Sequence, residues 1–278
     1  MKTWFITGVS RGLGLAIAKA VLADGDRVVG TVRGNPPDLE RPGQFHALKV
    51  DMQDVSAMEF AVQKSFSISG TIDVVVNNAG YGLLGAVEDS TEEELRSLFE
   101  VNVFAPIRVA RLFLPHLRRQ RSGHIIFITS IAGRAPSLGA ALYSAAKHAV
   151  EGFASSLAAE VAPTGIKVTA VAPGQFRTEF LSAASVRTSR AADSGYAETV
   201  GRTVAALGTV DRNQPGDPDK AAAMIVDMVE SASPPLHLLL GTDALLRARQ
   251  KIEQVKMEMQ EWEECTRGTD FSDRLSRY

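Results

Sequence analysis

Among its 278 residues the chain holds one cysteine, Cys265, so no intrachain disulfide can form and a reducing compartment is expected. An excess of one charge sign is also missing. Lys and Arg number 30 against 32 Asp and Glu, a formal net charge of −2. That balance gives no global basic field for nucleic acid or an anionic membrane, and neither is expected as a partner. No apolar run reaches the ~18 residues of a membrane span. Lys2-Thr3-Trp4-Phe5-Ile6-Thr7-Gly8 reads as a strand entering a glycine turn, where a secretory leader would need a longer apolar stretch. A cytoplasmic protein is therefore expected. The histidines, at 46, 116, 124, 148 and 237, show no ligand spacing, and Cys265 lacks a partner, so no metal site is expected.

What is present is alternation. Strand patterns fall at residues 3–7, 27–32, 45–50, 73–77, 124–130, 167–172 and 236–240. Continuous apolar runs such as Asp73-Val74-Val75-Val76 and Ile125-Ile126-Phe127-Ile128 suit strands covered on both faces. Most segments between them are long enough for a crossover helix. The fold class expected is α/β, a doubly wound Rossmann-type parallel sheet of about seven strands with helices on both faces. One domain is expected over residues 1–241, with 177–219 as a substrate loop or lid. Residues 242–278 read as a helical extension packed on the same domain or on a partner subunit, with a role in the substrate pocket as the alternative. Its Leu245, Ala248, Ile252, Val255, Met259 and Trp262 recur at spacings of three and four. Its charge run, Arg247, Arg249 and Lys251 beside Glu253, Glu258 and Glu261, reads as a solvated face.

Thr7-Gly8-Val9-Ser10-Arg11-Gly12-Leu13-Gly14 lies between the first strand and an Ala/Leu-rich helix. Gly8, Ser10, Arg11, Gly12, Leu13 and Gly14 are candidate cofactor contacts. Gly8 suits a tight turn, Gly12 lets backbone approach a pyrophosphate, and Gly14 lets the helix pack close to the sheet. The helix N-terminus offers free N–H groups to phosphates. The competing reading is a plain glycine-rich βα turn. At the end of the second strand, where an acid would bind the ribose hydroxyl of NAD, stands Arg33. Arg33 and Arg11 could converge on a 2′-phosphate, which favours NADP(H), with NAD(H) as the alternative. Otherwise both are solvated surface residues.

Tyr143-Ser144-Ala145-Ala146-Lys147 puts a phenol and an ammonium one helical turn apart. A tyrosine with a reference pKa of ~10 needs about 4 kcal/mol of help to act as a base near neutral pH. One positive charge at ~4 Å supplies about that much. Ser130 closes the fifth strand, where a hydroxyl can hydrogen-bond a substrate oxygen. Alone, this tyrosine–lysine spacing is a weak signal, compatible with a surface pair.

Thr7–Gly14, Asn77-Asn78-Ala79-Gly80, Asn102, Ser130, Tyr143 with Lys147, and Pro173-Gly174 occur in this order, and together they closely resemble the short-chain dehydrogenase/reductase family over about residues 1–240. The resemblance implies that Tyr143 is the general acid/base. It implies that Lys147 lowers the Tyr143 pKa and binds the nicotinamide ribose, while Ser130 orients the substrate oxygen. It implies that Asn102 holds a water in a relay to Lys147; a residue bonding locally within its helix is the alternative. Asn78, Ala79 and Gly80 would stabilise the sheet and touch the adenosine ribose, Asp51 and Met52 the adenine, and Pro173, Gly174 and Thr178 the nicotinamide end.

The function so implied is NADP(H)-dependent hydride transfer between nicotinamide and an alcohol or carbonyl carbon. The substrate is expected to be a small molecule with an apolar part, since Phe176, Phe180 and Leu181 follow Pro173-Gly174. A nucleotide-binding sensor without turnover, or a redox-neutral enzyme on the same fold, are the alternatives. A homodimer or homotetramer built on the helices near residues 91–118 and 143–162 is expected from the resemblance.

Overall fold

The computed structural model of the chain describes residues 1–39, 43–181, 186–188, 195–209 and 213–271. In chain order its elements are β1 (Thr3–Ile6), α1 (Gly12–Ala23), β2 (Arg27–Val32), β3 (Phe45–Lys49), α2 (Val55–Ser69), β4 (Val74–Asn77), β5 (Gly82–Leu84) and α3 (Glu92–Phe99). A π-helical turn (Glu100–Phe104) then leads into α4 (Ala105–Gln120), β6 (Gly123–Ile128), α5 (Ala141–Val161), β7 (Ile166–Pro173), β8 (Val186–Thr188) and α6 (Arg202–Thr209). The order closes with α7 (Pro218–Glu230), β9 (His237–Leu240), α8 (Thr242–Glu261) and α9 (Glu263–Arg267).

Seven strands form one parallel sheet in the order β3-β2-β1-β4-β6-β7-β9, so the doubly wound sheet expected from the alternation is present. Each central strand is apolar on both faces, and the alternation of side chains sends neighbours to opposite layers. Phe5, Val75, Ile125 and Phe127 join α2, α4 and α5 in one core. Trp4, Ile6, Val74, Val76, Ile126 and Ile128 join α1 and α7 in the other. Successive strands are added to one side of β1 as far as β3 and to its other side from β4 onward, which leaves a crevice beyond the carboxyl ends of β1 and β4, the usual ligand position in such sheets.

A two-stranded sheet, β5 with β8, was not expected. Part of the proposed loop at 177–219, namely 182–185, 189–194 and 210–212, lies outside the described residues. The remainder is not simply loop: it carries β8, a π turn at Ala197–Gly201, α6 and the start of α7. Helix starts follow local chemistry. Asp54 accepts from the Ala57 N–H, Thr91 and Glu94 form a reciprocal capping box, and Asp217 accepts from the N–H groups of Asp219 and Lys220. α1 is the contrast: Arg11 at its cap makes no side-chain capping bond, and its first turn holds no acid. Among the described residues no helix is long and apolar enough to cross a membrane.

Candidate active site

The glycine turn is tied down from β4. The Asn78 carboxamide donates to the carbonyl oxygens of Thr7 and Gly8, at 2.9 and 3.0 Å. The Thr7 hydroxyl accepts in return from the Asn78 and Ala79 N–H groups, at 2.9 and 3.0 Å. This lattice also explains Gly14. A Cβ there would overlap the Gly8 carbonyl and the Asn78 carboxamide, so the close approach is to the turn and to the residue that follows β4. Gly12 has φ +59°, a left-handed conformation, and a Cβ there would meet only Thr178, at 3.7 Å. The space above Gly12 is open, beside an α1 N-terminus left without a side-chain cap. That is the cradle a pyrophosphate fits.

Ser130 caps the short turn after β6, its hydroxyl accepting from the Ala132 N–H at 3.1 Å. Tyr143 stands in the first turn of the alanine-rich α5 and lines the same cavity as Ser130. Burial pushes the Tyr143 phenol up to about 12, and the Ser130 hydroxyl opposes this. One turn on, Lys147 is buried with its ammonium 5.8 Å from the Tyr143 ring centroid and donating to the Ile128 carbonyl at 2.9 Å. Burial pulls Lys147 down to about 8, against the upward pull of Glu151. Among the protein's own groups, desolvation of the phenol is the larger influence on Tyr143.

Every catalytic or cofactor-contact residue proposed from the sequence except Asn102 lines one cavity of about 700 Å³. The turn residues Gly8, Ser10, Arg11, Gly12, Leu13 and Gly14 bound one side, with Arg33, Asp51 and Met52 around the same part. Asn78, Ala79, Gly80, Pro173, Gly174 and Thr178 lead towards Ser130, Tyr143 and Lys147. Asn102 sits behind this wall in the π turn, buried, and does not bond locally in its helix. Its amide donates to the Tyr81 carbonyl at 2.7 Å and its oxygen accepts from the Tyr81 N–H at 3.1 Å. A Cβ on Gly80 would lie 3.0 Å from the Asn102 oxygen and 3.7 Å from the Lys147 ammonium, so both flank that glycine.

Several cavity residues escaped the sequence reading. Arg247 of α8 is no solvated charge: it donates to the Ala135 carbonyl and to the Ser137 hydroxyl, the latter at 2.6 Å, and lines the cavity. The reading failed because periodicity assigns a helix face but not what that face meets. Asp243, a turn earlier, accepts from the Gln175 N–H at 2.9 Å, so α8 holds both rims of the cleft. Gln214 is 1% exposed and its carboxamide has no partner among the described residues, yet it lines the cavity. Arg187 of β8 lies 4.5 Å over the Tyr81 ring at the same cavity. Phe176, Phe180, Leu84, Val186 and Leu207 give this part an apolar wall, with Phe180 6.0 Å from Tyr143. The side chain of Leu181 lies outside the described residues. Among the described residues no cluster of His, Cys, Asp and Glu could hold a metal.

With a parallel sheet, an open glycine cradle and a buried Tyr–Lys pair on one cavity, the chain has the architecture of a dinucleotide oxidoreductase. It belongs to the short-chain dehydrogenase family, whose profile matches residues 2–188. It is 37% identical over 270 residues to Oxidoreductase BOA17 of Botryotinia fuckeliana, covering 95% of this chain and 98% of that protein. It is 35% identical over 236 residues to a 3-ketodihydrosphingosine reductase of Bacteroides thetaiotaomicron, covering 85% and 86%. A short-chain dehydrogenase from Streptomyces avermitilis, solved by crystallography, superposes with TM-score 0.88 at 40% identity, covering 97% of this chain and all of that one.

Proposed function

We propose that this chain is an NADP(H)-dependent oxidoreductase that interconverts an alcohol and a ketone or aldehyde, with Tyr143 as general acid/base. The carrying observation is that Tyr143, Lys147 and Ser130 share one cavity with the Gly12 cradle. Arg11 and Arg33 line the same cavity, where two guanidinium groups suit a 2′-phosphate, and this supports NADP(H) over NAD(H). Residues 1–241 form the catalytic unit on this reading, 242–278 are an extension that braces it, and the working form is a cytoplasmic homo-oligomer.

The bound dinucleotide would supply or accept the hydride at its nicotinamide. The chain's own residues do the rest. Ser130 hydrogen-bonds the substrate oxygen and Tyr143 gives that oxygen its proton as the carbon is reduced. The buried phenol is protonated at neutral pH and so has a proton to give. Lys147, whose ammonium stands beside Gly80 and the Asn102 oxygen, holds the ribose hydroxyls and adds positive charge as the phenolate forms. Asn102, bonded on both sides to Tyr81, fixes the backbone that borders Lys147. The wall of Leu84, Phe180, Val186 and Leu207 suits a substrate with an apolar body, and Gln214 offers it a desolvated donor and acceptor. The likeness to a 3-ketodihydrosphingosine reductase accords with a ketone on an apolar chain.

The test is a titration of the purified protein with NADPH and NADH, then a screen of apolar ketones. Tight NADPH and weak NADH, with Arg33→Asp losing NADPH at least tenfold and NADH little, are expected. Preference for NADH in the parent protein overturns the phosphate clamp. Binding of neither overturns the oxidoreductase reading.

A further inference from the structure

Glu151 lies one turn beyond Lys147 on α5 and is buried. Its carboxylate gathers groups from three other elements. The hydroxyl of Thr129, at the end of β6 and next to Ser130, donates to Oε1. Arg134, after the short turn that follows Ser130, pairs its Nε with the same oxygen at 3.2 Å. His237, at the start of β9, brings Nδ1 within 3.4 Å of Oε2, and its side chain is 48% exposed. Arg134 is fixed further by its bond to the Ala170 carbonyl at 3.0 Å.

A buried ion pair is a poor device for stability, because desolvating two charges cancels most of their attraction. A well-packed apolar pair would brace the same four elements. What distinguishes this cluster is its address. Glu151 lies four residues after Lys147, on the same face of α5, and both are buried; among the described residues the ammonium bonds the Ile128 carbonyl and lies near the Tyr143 ring. Burial drives that ammonium towards the neutral amine, and the Glu151 charge acts the other way. The charged and titratable groups around the two are Tyr143 on α5, Arg134 from the turn after β6, His237 from β9 and Tyr81 after β4.

We propose that Glu151 is a positioning residue which, from its cluster with Thr129, Arg134 and His237, keeps Lys147 in the ammonium form that binds the cofactor ribose. The proposal rests on the reading that Lys147 holds that ribose. Arg134 fixes the carboxylate and tempers its charge. The two partners therefore act on Lys147 with opposite signs, which no purely structural role requires.

NADPH affinity, read by NADPH fluorescence from pH 7 to 10, tests this without a substrate. The parent protein should lose affinity on the alkaline side as Lys147 loses its proton. Glu151→Gln, nearly isosteric, should move that limb down by about one pH unit, the scale of one nearby charge. Arg134→Gln should move it up. Melting curves check that each variant is folded; if Glu151→Gln does not fold, the upward shift in Arg134→Gln carries the test. A parent limb that neither variant moves, or that both move the same way, overturns the proposal and leaves the oxidoreductase reading intact. A parent protein with no alkaline limb also overturns it. No NADPH binding at any pH sinks the cofactor reading beneath it.

Discussion

The ammonium of Lys147 stands 5.8 Å from the centre of the Tyr143 ring, and both side chains are buried in the same wall of the cleft. Removing only the phenolic oxygen therefore isolates its chemistry. Tyr143→Phe should bind NADPH as the parent does and lose turnover by about 10²–10⁴-fold, the usual worth of a positioned acid/base. Steady-state rates with a substrate found in the ketone screen measure this. Turnover within a few-fold of the parent would assign the proton to another group.

Lys147 is also a cost to the fold. Its pKa is depressed from 10.5 to about 8, so the folded protein gives up that proton before the unfolded chain does. The unfolded state binds more protons through this window, and stability must rise with pH across it. Below about pH 8 the penalty is present in full, on the order of 3 kcal/mol. It fades as pH climbs towards 10.5. Lys147→Met removes the penalty but strips the Ile128 carbonyl of its donor, returning about 1 kcal/mol. The variant should be inactive yet more stable than the parent at pH 7, and the gap should close by pH 10. Urea midpoints at three pH values measure it; a variant less stable at pH 7 contradicts the sign.

Two glycines of the same turn should fail in different ways. An alanine at Gly14 would drive its Cβ into the Gly8 carbonyl and the Asn78 carboxamide, which are held by hydrogen bonds and cannot easily retreat. Gly14→Ala should lower the melting temperature by several degrees, in line with an overpacking cost of about 1–3 kcal/mol. At Gly12 there is room, and the penalty is a left-handed φ of +59°, worth about 1 kcal/mol. Gly12→Ala should keep most of its stability but weaken NADPH binding tenfold or more, because its methyl enters the cradle. Equal melting losses in the two variants would refute the distinction.

The contrast shows what could be read in advance. Continuous apolar runs mark strands covered on both faces, and all seven strands of the main sheet lay within a residue or two of their expected places. The tyrosine–lysine pair was legible because its spacing is local, with Tyr143 and Lys147 one turn apart. β5 was not, because three residues at Gly82–Leu84 carry no period, and their partner Val186–Thr188 stands a hundred residues away. The π turn around Asn102 leaves no composition signal either. Gln214, Glu151 and Arg247 depend on tertiary approach. Gln214 sits in a polar turn in the sequence and in a dry wall in the fold.

Arg247 shows what that tertiary approach does for the site. It bonds the loop after Ser130 through the Ala135 carbonyl and the Ser137 hydroxyl, while Asp243 holds the Gln175 N–H on the opposite rim. Burial makes its charged form costlier, and the Asp243 carboxylate offsets this. On the proposed reading the Ser137 rim borders the substrate end of the cleft, so Arg247→Met should loosen that side without touching the glycine cradle. The expected result is a KM for the ketone raised about tenfold, the worth of one or two charge-assisted hydrogen bonds, with NADPH affinity within twofold of the parent. Asp243→Asn should act on the other rim, where Gln175 adjoins Pro173-Gly174, and so should weaken NADPH binding as well. If Arg247→Met instead lowers NADPH affinity and leaves KM alone, then α8 braces the cofactor end, and the substrate pocket must be sought elsewhere in the cavity.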